Sequence, residues 1–437
     1  MSERLCVVGA GRSGAVTAAC LADLGHSVCA VDINATLVAK LLEGRAPFYE
    51  PDLDDVIQRN LKAGRLSFTT AFSEGVPDAD FVVLCVGTPP QTNGEADLTA
   101  LHAAIGEVAP LLRENAVVIT RSTVPVGTNA SLAEKIRAER PQTAFEIVSN
   151  PEFLREGHAV QDFVGPERIV IGANSERGRK AAARLYQDID CPIVFADLET
   201  AEMIKYAANA FLATSISFIN EIANICERVG ADVALVREAL MLDRRIGPQA
   251  YLTPGIGFGG SCLPKDLHAL VAAAEGHGYH PTMLRAVARV NELQPRWVIG
   301  CLEQVFTELK GLTVAAFGIS FKAGTFDPRS SPAVAVIRLL ANEGVHVRAF
   351  DPLADATAGE LLQGLAELSS DAYSAATGCH ALVFITAHSQ FKELDLERLR
   401  RTMQSPVLID GQNLFEPEAA SRAGFSYIGI GRPRRND

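Results

Sequence analysis

Apolar residues in this chain arrive as short unbroken runs, each followed by text that is apolar at every third or fourth position. The first run is LCVV (5–8); a glycine turn and a helical stretch follow, and a second run closes on Asp32. ADFVVLCVG (79–87), AVVITRST (116–123), FEIVSN (145–150) and IVFAD (193–197) repeat the run, with helical patterns between them. Unbroken runs suit strands buried on both faces, and strands alternating with helices predict a parallel, doubly wound sheet.

After 197 the pattern changes. From Glu199 to about Val229 the text is rich in alanine, free of glycine and proline and apolar at helical spacing, which predicts one long helix. More helical text spans 264–308, broken near Gly276–Pro281. At Gly311 the alternation restarts: LTVAAFG, SPAVAVIRLLANEG, VHVRAFD ending on Asp351, then ALVFIT and PVLID. The second block repeats the order of the first (strand, turn, helix, strand, acid) without its full glycine fingerprint. The expected fold class is α/β: two Rossmann-like doubly wound parallel-sheet domains joined by a helical connector with a long central helix.

A length of 437 residues suits two or three domains, and 48% hydrophobic with 21% charged residues is ordinary globular composition. The formal net charge of −12 argues against nucleic-acid or anionic-membrane partners. No apolar stretch reaches the roughly 18 residues of a membrane span, and the first strand begins too early for a signal peptide. None of the nine cysteines forms a CxxC pair or stands near histidines at zinc spacing, so no metal site and no disulfide framework is expected. A cytoplasmic location follows as the default.

Gly9-Ala-Gly11-Arg12-Ser13-Gly14 follows a strand and opens a helix, with Asp32 eighteen residues past Gly14. Such glycines permit the turn, admit a pyrophosphate to the backbone and let helix and strand pack closely, while the helix N-terminus faces the phosphates. An acid at Asp32 would bond ribose hydroxyls and repel a 2′-phosphate, which selects NAD over NADP. Cys85-Val86-Gly87-Thr88-Pro and Ser122-Thr123-Val-Pro also end strands, where ligands of open α/β sheets bind. Thr123 thus faces the cofactor crevice or merely caps a helix. Asn150-Pro-Glu152-Phe153-Leu154-Arg155-Glu156 places two carboxylates either in that crevice or in the first turn of a helix.

Lys205 and Asn209 share one face of the long helix amid apolar and small residues. That lysine either snorkels to solvent or is desolvated for acid–base work. The stretch GFGGSCLPKD (257–266) decides for the latter. Its glycines permit close backbone approach, and Pro264 puts Cys262 just before a helix N-terminus, where a thiolate is stabilised. Lys265 adds positive charge and Asp266 could orient water. With NAD, a thiol can add to an aldehyde, lose hydride as a thiohemiacetal and leave as a hydrolysable thioester.

These segments, with DRRIGPQAYLTPGIGFGGSCLPKD, FGISFKAGTFDPRSSP and DGQNLF, resemble in order and over nearly the whole chain the UDP-glucose/GDP-mannose dehydrogenase family. The resemblance implies an NAD-binding Rossmann domain (1–197), a helical connector and dimerisation domain (198–308) and a C-terminal UDP-binding domain (309–437). It also implies NAD-dependent, four-electron oxidation of the C6 alcohol of a nucleotide sugar, first of all UDP-glucose to UDP-glucuronate. Cys262 is then the nucleophile, Lys205 with Asn209 stabilises the C6 oxyanion, and Asp266, Thr123 and Glu152 handle proton transfer and water. Gly9, Gly11, Arg12, Ser13, Gly14, Asp32, Val86, Gly87, Thr88, Thr123, Glu156, Lys265 and Arg329 face the cofactor. Glu152, Phe153, Leu154, Arg155, Lys205, Asn209, Tyr251, Leu252, Gly255, Phe258, Gly259, Cys262, Phe321 and Lys322 face the nucleotide sugar, and Arg245 is lent across a homodimer interface.

Five positions depart from the family pattern: Arg12-Ser13 replace a Tyr-Val pair, Leu37 a lysine, Phe326 an aspartate and Gln412 an arginine. Dehydrogenases of dTDP-glucose, UDP-N-acetylhexosamines and GDP-mannose are the neighbouring alternatives. A two-electron hydroxyacid dehydrogenase of the 6-phosphogluconate type shares the Rossmann domain and catalytic lysine but has no use for Cys262. A non-catalytic NAD-binding interaction protein would not need Lys205, Cys262 and Asp266 together.

Overall fold

The structure is a computed structural model that describes residues 2–354 and 356–433. The chain divides into two compact units, Met1–Ala208 and Asn209–Asp437. The helix Leu198–Val229 begins in the first and ends in the second.

In the first unit, strands β1 (Arg4–Val8), β2 (Ser27–Val31), β3 (Leu66–Thr69), β4 (Phe81–Leu84), β5 (Ala116–Thr120), β6 (Phe145–Ser149), β7 (Ile169–Gly172) and β8 (Ile193–Ala196) form one sheet. Their order is β3-β2-β1-β4-β5-β6-β7-β8. The first six are parallel; β7 meets β6 antiparallel at Ser149 and Gly172, and β8 runs parallel to β7. The reversal adds an edge pair of opposite sense that the apolar pattern does not announce. Side chains alternate across the sheet: Leu5 and Val7 enter one core cluster, Cys6 and Val8 the other. Helices cover both faces, so β4 and β5 are buried at every position and β1 from Leu5 onward, and such strands read as unbroken apolar runs. Each fully buried Val or Leu contributes about 1.5–3 kcal/mol.

In the second unit, β9 (Thr313–Phe317), β10 (His346–Phe350), β11 (Glu367–Leu368), β12 (Ala381–Phe384), β13 (Val407–Asp410) and β14 (Ser426–Gly429) are all parallel, in the order β11-β10-β9-β12-β13-β14. This is the β3-β2-β1-β4-β5-β6 order again, the strand order of a dinucleotide fold. Val314 and Ala316 face one core cluster, Ala315 and Phe317 the other. Helices Val233–Leu242, Leu263–Gly276, Thr282–Leu293 and Arg296–Glu303 precede the sheet. The break expected near 276–281 lies between the second and third of these.

Candidate active site

In the first unit the glycine turn is shaped for a phosphate. Gly9 has φ +91°, and a Cβ there would lie 2.8 Å from the Cys85 carbonyl oxygen; a Cβ on Gly14 would collide with the Gly9 carbonyl. Above Gly11 there is open space within 4 Å. Gly11 also begins the helix Arg12–Asp23 with no side-chain cap, so the first amides of that helix face outward for an anion. Asp32, at the carboxyl end of β2, accepts from Ala10 N (2.8 Å) and Asn34 N (2.9 Å), which fixes its carboxylate beside the turn. These residues fit the adenine-side ribose and pyrophosphate of a dinucleotide.

The turns after β4 and β5 are laced together. Thr88 Oγ1 donates to Thr123 O at 2.8 Å, and Ser122 Oγ donates to Val86 O at 2.6 Å. Gly87 is exposed between them. Glu202, buried on the long helix, accepts from Gly127 N (2.6 Å), Asn129 N (2.8 Å) and Asn129 Nδ2 (2.7 Å). It ties the Thr123 turn to the helix segment that carries Lys205, and no sequence signal singled it out.

Residues 150–157 leave β6 as a loop, not as the first turn of a helix; the next helix is Ala159–Val164. Glu50 holds this loop by accepting from Gly157 N (2.8 Å) and Ala159 N (2.7 Å). The two glutamates separate. Glu152 Oε1 lies 4.0 Å from Lys205 Nζ, whereas Glu156 pairs with Arg12. Lys205 is 4% exposed and also lies 5.0 Å from the Phe153 ring, so it is desolvated and does not snorkel. Arg155 forks onto Asp162. Arg12 also stacks on Phe48, 5.1 Å away, and Leu37 packs into the core.

In the second unit Cys262 is exposed at the N-cap of the helix Leu263–Gly276, with Ser261 Oγ 3.6 Å from its sulfur. One turn into that helix, Asp266 is 1% exposed and accepts from Asn209 Nδ2 (2.6 Å) and Lys265 Nζ (2.5 Å). A buried carboxylate held by two donors is fixed in orientation. Asn291 grips the loop before the cysteine, accepting from Phe258 N (2.7 Å) and donating to Phe258 O (3.0 Å). Gly255 N donates to Asn220 Oδ1 (2.8 Å), and Gln294 Nε2 donates to Gly255 O (3.0 Å). Asn291, Asn220 and Gln294 went unmarked in the sequence because amides on a helix face look like solvated positions.

The glycines of this loop answer to close neighbours. Gly260 has φ +82°, and a Cβ there would meet the Phe321 ring at 2.8 Å; one on Gly259 would collide with the Ser330 carbonyl. Gly260 N donates to Arg329 O at 3.0 Å, while the Arg329 side chain forks onto buried Asp327. Lys322 Nζ lies 5.8 Å from the Phe321 ring. Leu252 is buried, Tyr251 exposed, and Arg245, on the surface, pairs with Asp243. Gln412 stands against Gly255, its Nε2 donating to Ile385 O at 2.6 Å. Phe326 packs on the apolar core of this unit.

Three models of one family match in chain order: its NAD-binding domain over 3–190, its central domain over 199–293 and its UDP-binding domain over 315–417. The chain belongs to the UDP-glucose/GDP-mannose dehydrogenase family. It is an NAD-dependent dehydrogenase. Among curated relatives, the UDP-glucose 6-dehydrogenase TuaD of Bacillus subtilis is 42% identical over 99% of this chain and 94% of its own. The UDP-glucose 6-dehydrogenase of Pseudomonas aeruginosa is 41% identical over 99% and 98%. Among solved structures, a UDP-glucose dehydrogenase from Pyrobaculum islandicum superposes with a TM-score of 0.92 at 37% identity, covering 99% of this chain and 98% of that one.

Proposed function

We propose that this family member oxidises the C6 alcohol of UDP-glucose to the carboxylate of UDP-glucuronate. The observation that carries the reading is the exposed Cys262 at a helix N-terminus, one turn from the buried Asp266–Lys265–Asn209 network. A single two-electron oxidation has no need of a nucleophile; an alcohol-to-acid oxidation does. Relatives named UDP-glucose 6-dehydrogenase support the same substrate.

Gly9, Gly11, Arg12, Ser13, Gly14 and Asp32 hold NAD, with Val86, Gly87, Thr88, Thr123, Glu156, Lys265 and Arg329 completing its surroundings. NAD, when bound, supplies the hydride acceptor for both oxidations. Lys205, desolvated beside Glu152, stabilises the alkoxide that forms at C6. Cys262 adds to the resulting aldehyde carbon; the C–S bond forms and the carbonyl oxygen becomes an oxyanion beside Lys205 and Asn209. Oxidation of that thiohemiacetal leaves a thioester on Cys262. A water oriented by Asp266, Thr123 and Glu152 then cleaves the C–S bond, which frees the carboxylate and regenerates the thiol. Phe153, Leu154, Arg155, Tyr251, Leu252, Gly255, Phe258, Gly259, Phe321 and Lys322 bind the nucleotide sugar.

The functional divisions proposed are 1–197 for NAD, 198–308 for the connector and 309–437 for UDP. A homodimer is proposed from the long helix, on which Phe211, Phe218 and Ile225 recur every seven residues and are 71%, 47% and 48% exposed. Arg245 serves the partner's site in that dimer. Composition fits a cytoplasmic enzyme.

The test is a panel of UDP-glucose, dTDP-glucose, UDP-N-acetylglucosamine and GDP-mannose with NAD. UDP-glucose should be the best substrate and yield two NADH and one carboxylate per sugar. One NADH per sugar, or preference for another sugar, overturns the reading.

A further inference from the structure

The second unit repeats the dinucleotide turn of the first, bond for bond. Gly9 N donates to Val31 O and Gly318 N to Phe350 O, both at 2.8 Å, and both glycines have φ above +90°. Ala10 N donates to Asp32 Oδ2 and Ile319 N to Asp351 Oδ2, again at 2.8 Å. Asn34 N and Leu353 N donate to the other oxygen of their respective acids at 2.9 Å. Asp351 therefore occupies the position of a ribose-binding acid.

Its surroundings are the opposite of those of Asp32. Asp351 is 4% exposed, and its Oδ2 also accepts from Ser320 N and Ser320 Oγ, each at 3.1 Å. His388 Nε2 lies 3.1 Å from Asp351 Oδ2 and 3.0 Å from Ser320 Oγ. Ser320 stands where the first unit has Gly11, and His388, four residues past β12, stands where the first unit has Thr88, four residues past β4. The helix that would have met a phosphate starts only at Pro332, its N-terminus capped by Ser331 Oγ. The seat of a second dinucleotide is filled by protein.

The filled seat anchors the turn that continues into Phe321 and Lys322. Thr386 Oγ1 donates to Ser320 O (2.6 Å) and Ser331 Oγ to Ile319 O (2.7 Å), so both peptides before Phe321 are pinned. Phe321 in turn lies against Gly260, two residues before Cys262. We propose that His388 and Ser320 are positioning residues: by locking Asp351 they fix the turn that seats Phe321 and Lys322 against the cysteine loop. Their effect falls on the nucleotide sugar: the turn and acid that seat NAD lie in the first unit, and Lys265 and Arg329, the second unit's residues assigned to NAD, are held by Asp266 and Asp327 and not by Asp351. The inference rests on the proposed substrate only for its kinetic readout.

The experiment compares His388→Ala, His388→Gln and Ser320→Ala in the full-length protein. Losing a buried hydrogen bond to a charged group should raise the KM for UDP-glucose about tenfold in His388→Ala. The KM for NAD should stay at the wild-type value, Ser320→Ala should show a smaller rise, and His388→Gln, which keeps a donor, should recover part of the loss. Hydrogen exchange of the segment 318–322 should accelerate in His388→Ala without any ligand. Unchanged exchange there, or equal rises in both KM values, overturns the proposal. Were His388→Ala not to fold, Ser320→Ala would decide by the same two readings. Faster exchange in protein that ignores UDP-glucose would overturn the substrate and leave the positioning role standing.

Discussion

At the residue scale, the nine cysteines differ by environment more than by chemistry. Burial pushes the Cys85 thiol up to about 11 and the Cys20 thiol up to about 12. Both stay protonated and enclosed at pH 8, whereas Cys262 is exposed at a helix N-terminus. One equivalent of iodoacetamide should therefore modify Cys262 first, as read by peptide mass spectrometry, and UDP-glucose should slow it; primary labelling of Cys20 or Cys85 would contradict this ordering. Cys262→Ala should lower carboxylate formation at least about 10³-fold, the scale of losing a covalent nucleophile. It should still permit slow NADH-dependent reduction of a supplied 6-aldehyde, followed by NADH absorbance. Lys205→Met should cost about 10²–10³ in kcat, as for loss of an oxyanion donor, with the fold intact by circular dichroism.

At the scale of elements, two glycines three apart in the first turn separate fold from function. Gly14→Ala must push the helix Arg12–Asp23 off the Gly9 carbonyl, overpacking that costs about 1–3 kcal/mol or more, visible in Tm. Gly11→Ala meets no atom within 4 Å, so Tm should hold while NAD affinity falls, measured by calorimetry. A matched loss of Tm in both would refute the distinction. In the second unit, burial pushes the Asp351 carboxyl up, but the His388 hydrogen bond and the Ile319 and Leu353 amides outweigh it and hold it below the usual aspartate value. The unfolded chain thus binds that proton more readily. The stability due to Asp351 is present in full above the ordinary aspartate pKa and is lost as pH falls through the lower folded value. Asp351→Asn should flatten this acid limb in urea unfolding at stepped pH; an acid limb as steep as wild type would refute it.

At the scale of the whole molecule, the apolar stripe of the long helix predicts self-association. Phe218→Glu should shift the protein toward monomer in light scattering, and a wild-type mass would exclude this face as the interface. What the sequence by itself determined is set by local rules: unbroken runs became double-covered strands, the glycine turn opened a helix beside Asp32, and Pro264 placed Cys262 at a helix start. The strands β3 (LSFT), β11 (EL) and β14 (SYIG) escaped because polar or small residues interrupt their apolar text, and β7, an apolar run too short to stand out, takes its place only through pairing with strands distant in sequence. Tertiary structure alone decided that Glu152 faces Lys205 while Glu156 faces Arg12, since a loop has no period to aim its side chains. It alone brought Asn209 to Asp266, 57 residues on, Asn291 to Phe258, 33 residues back, and His388 to Asp351, 37 residues back. A polar side chain is legible in sequence only when its partner lies within a turn; when the partner lies across the fold, its hydrogen bond exists only after the chain has packed.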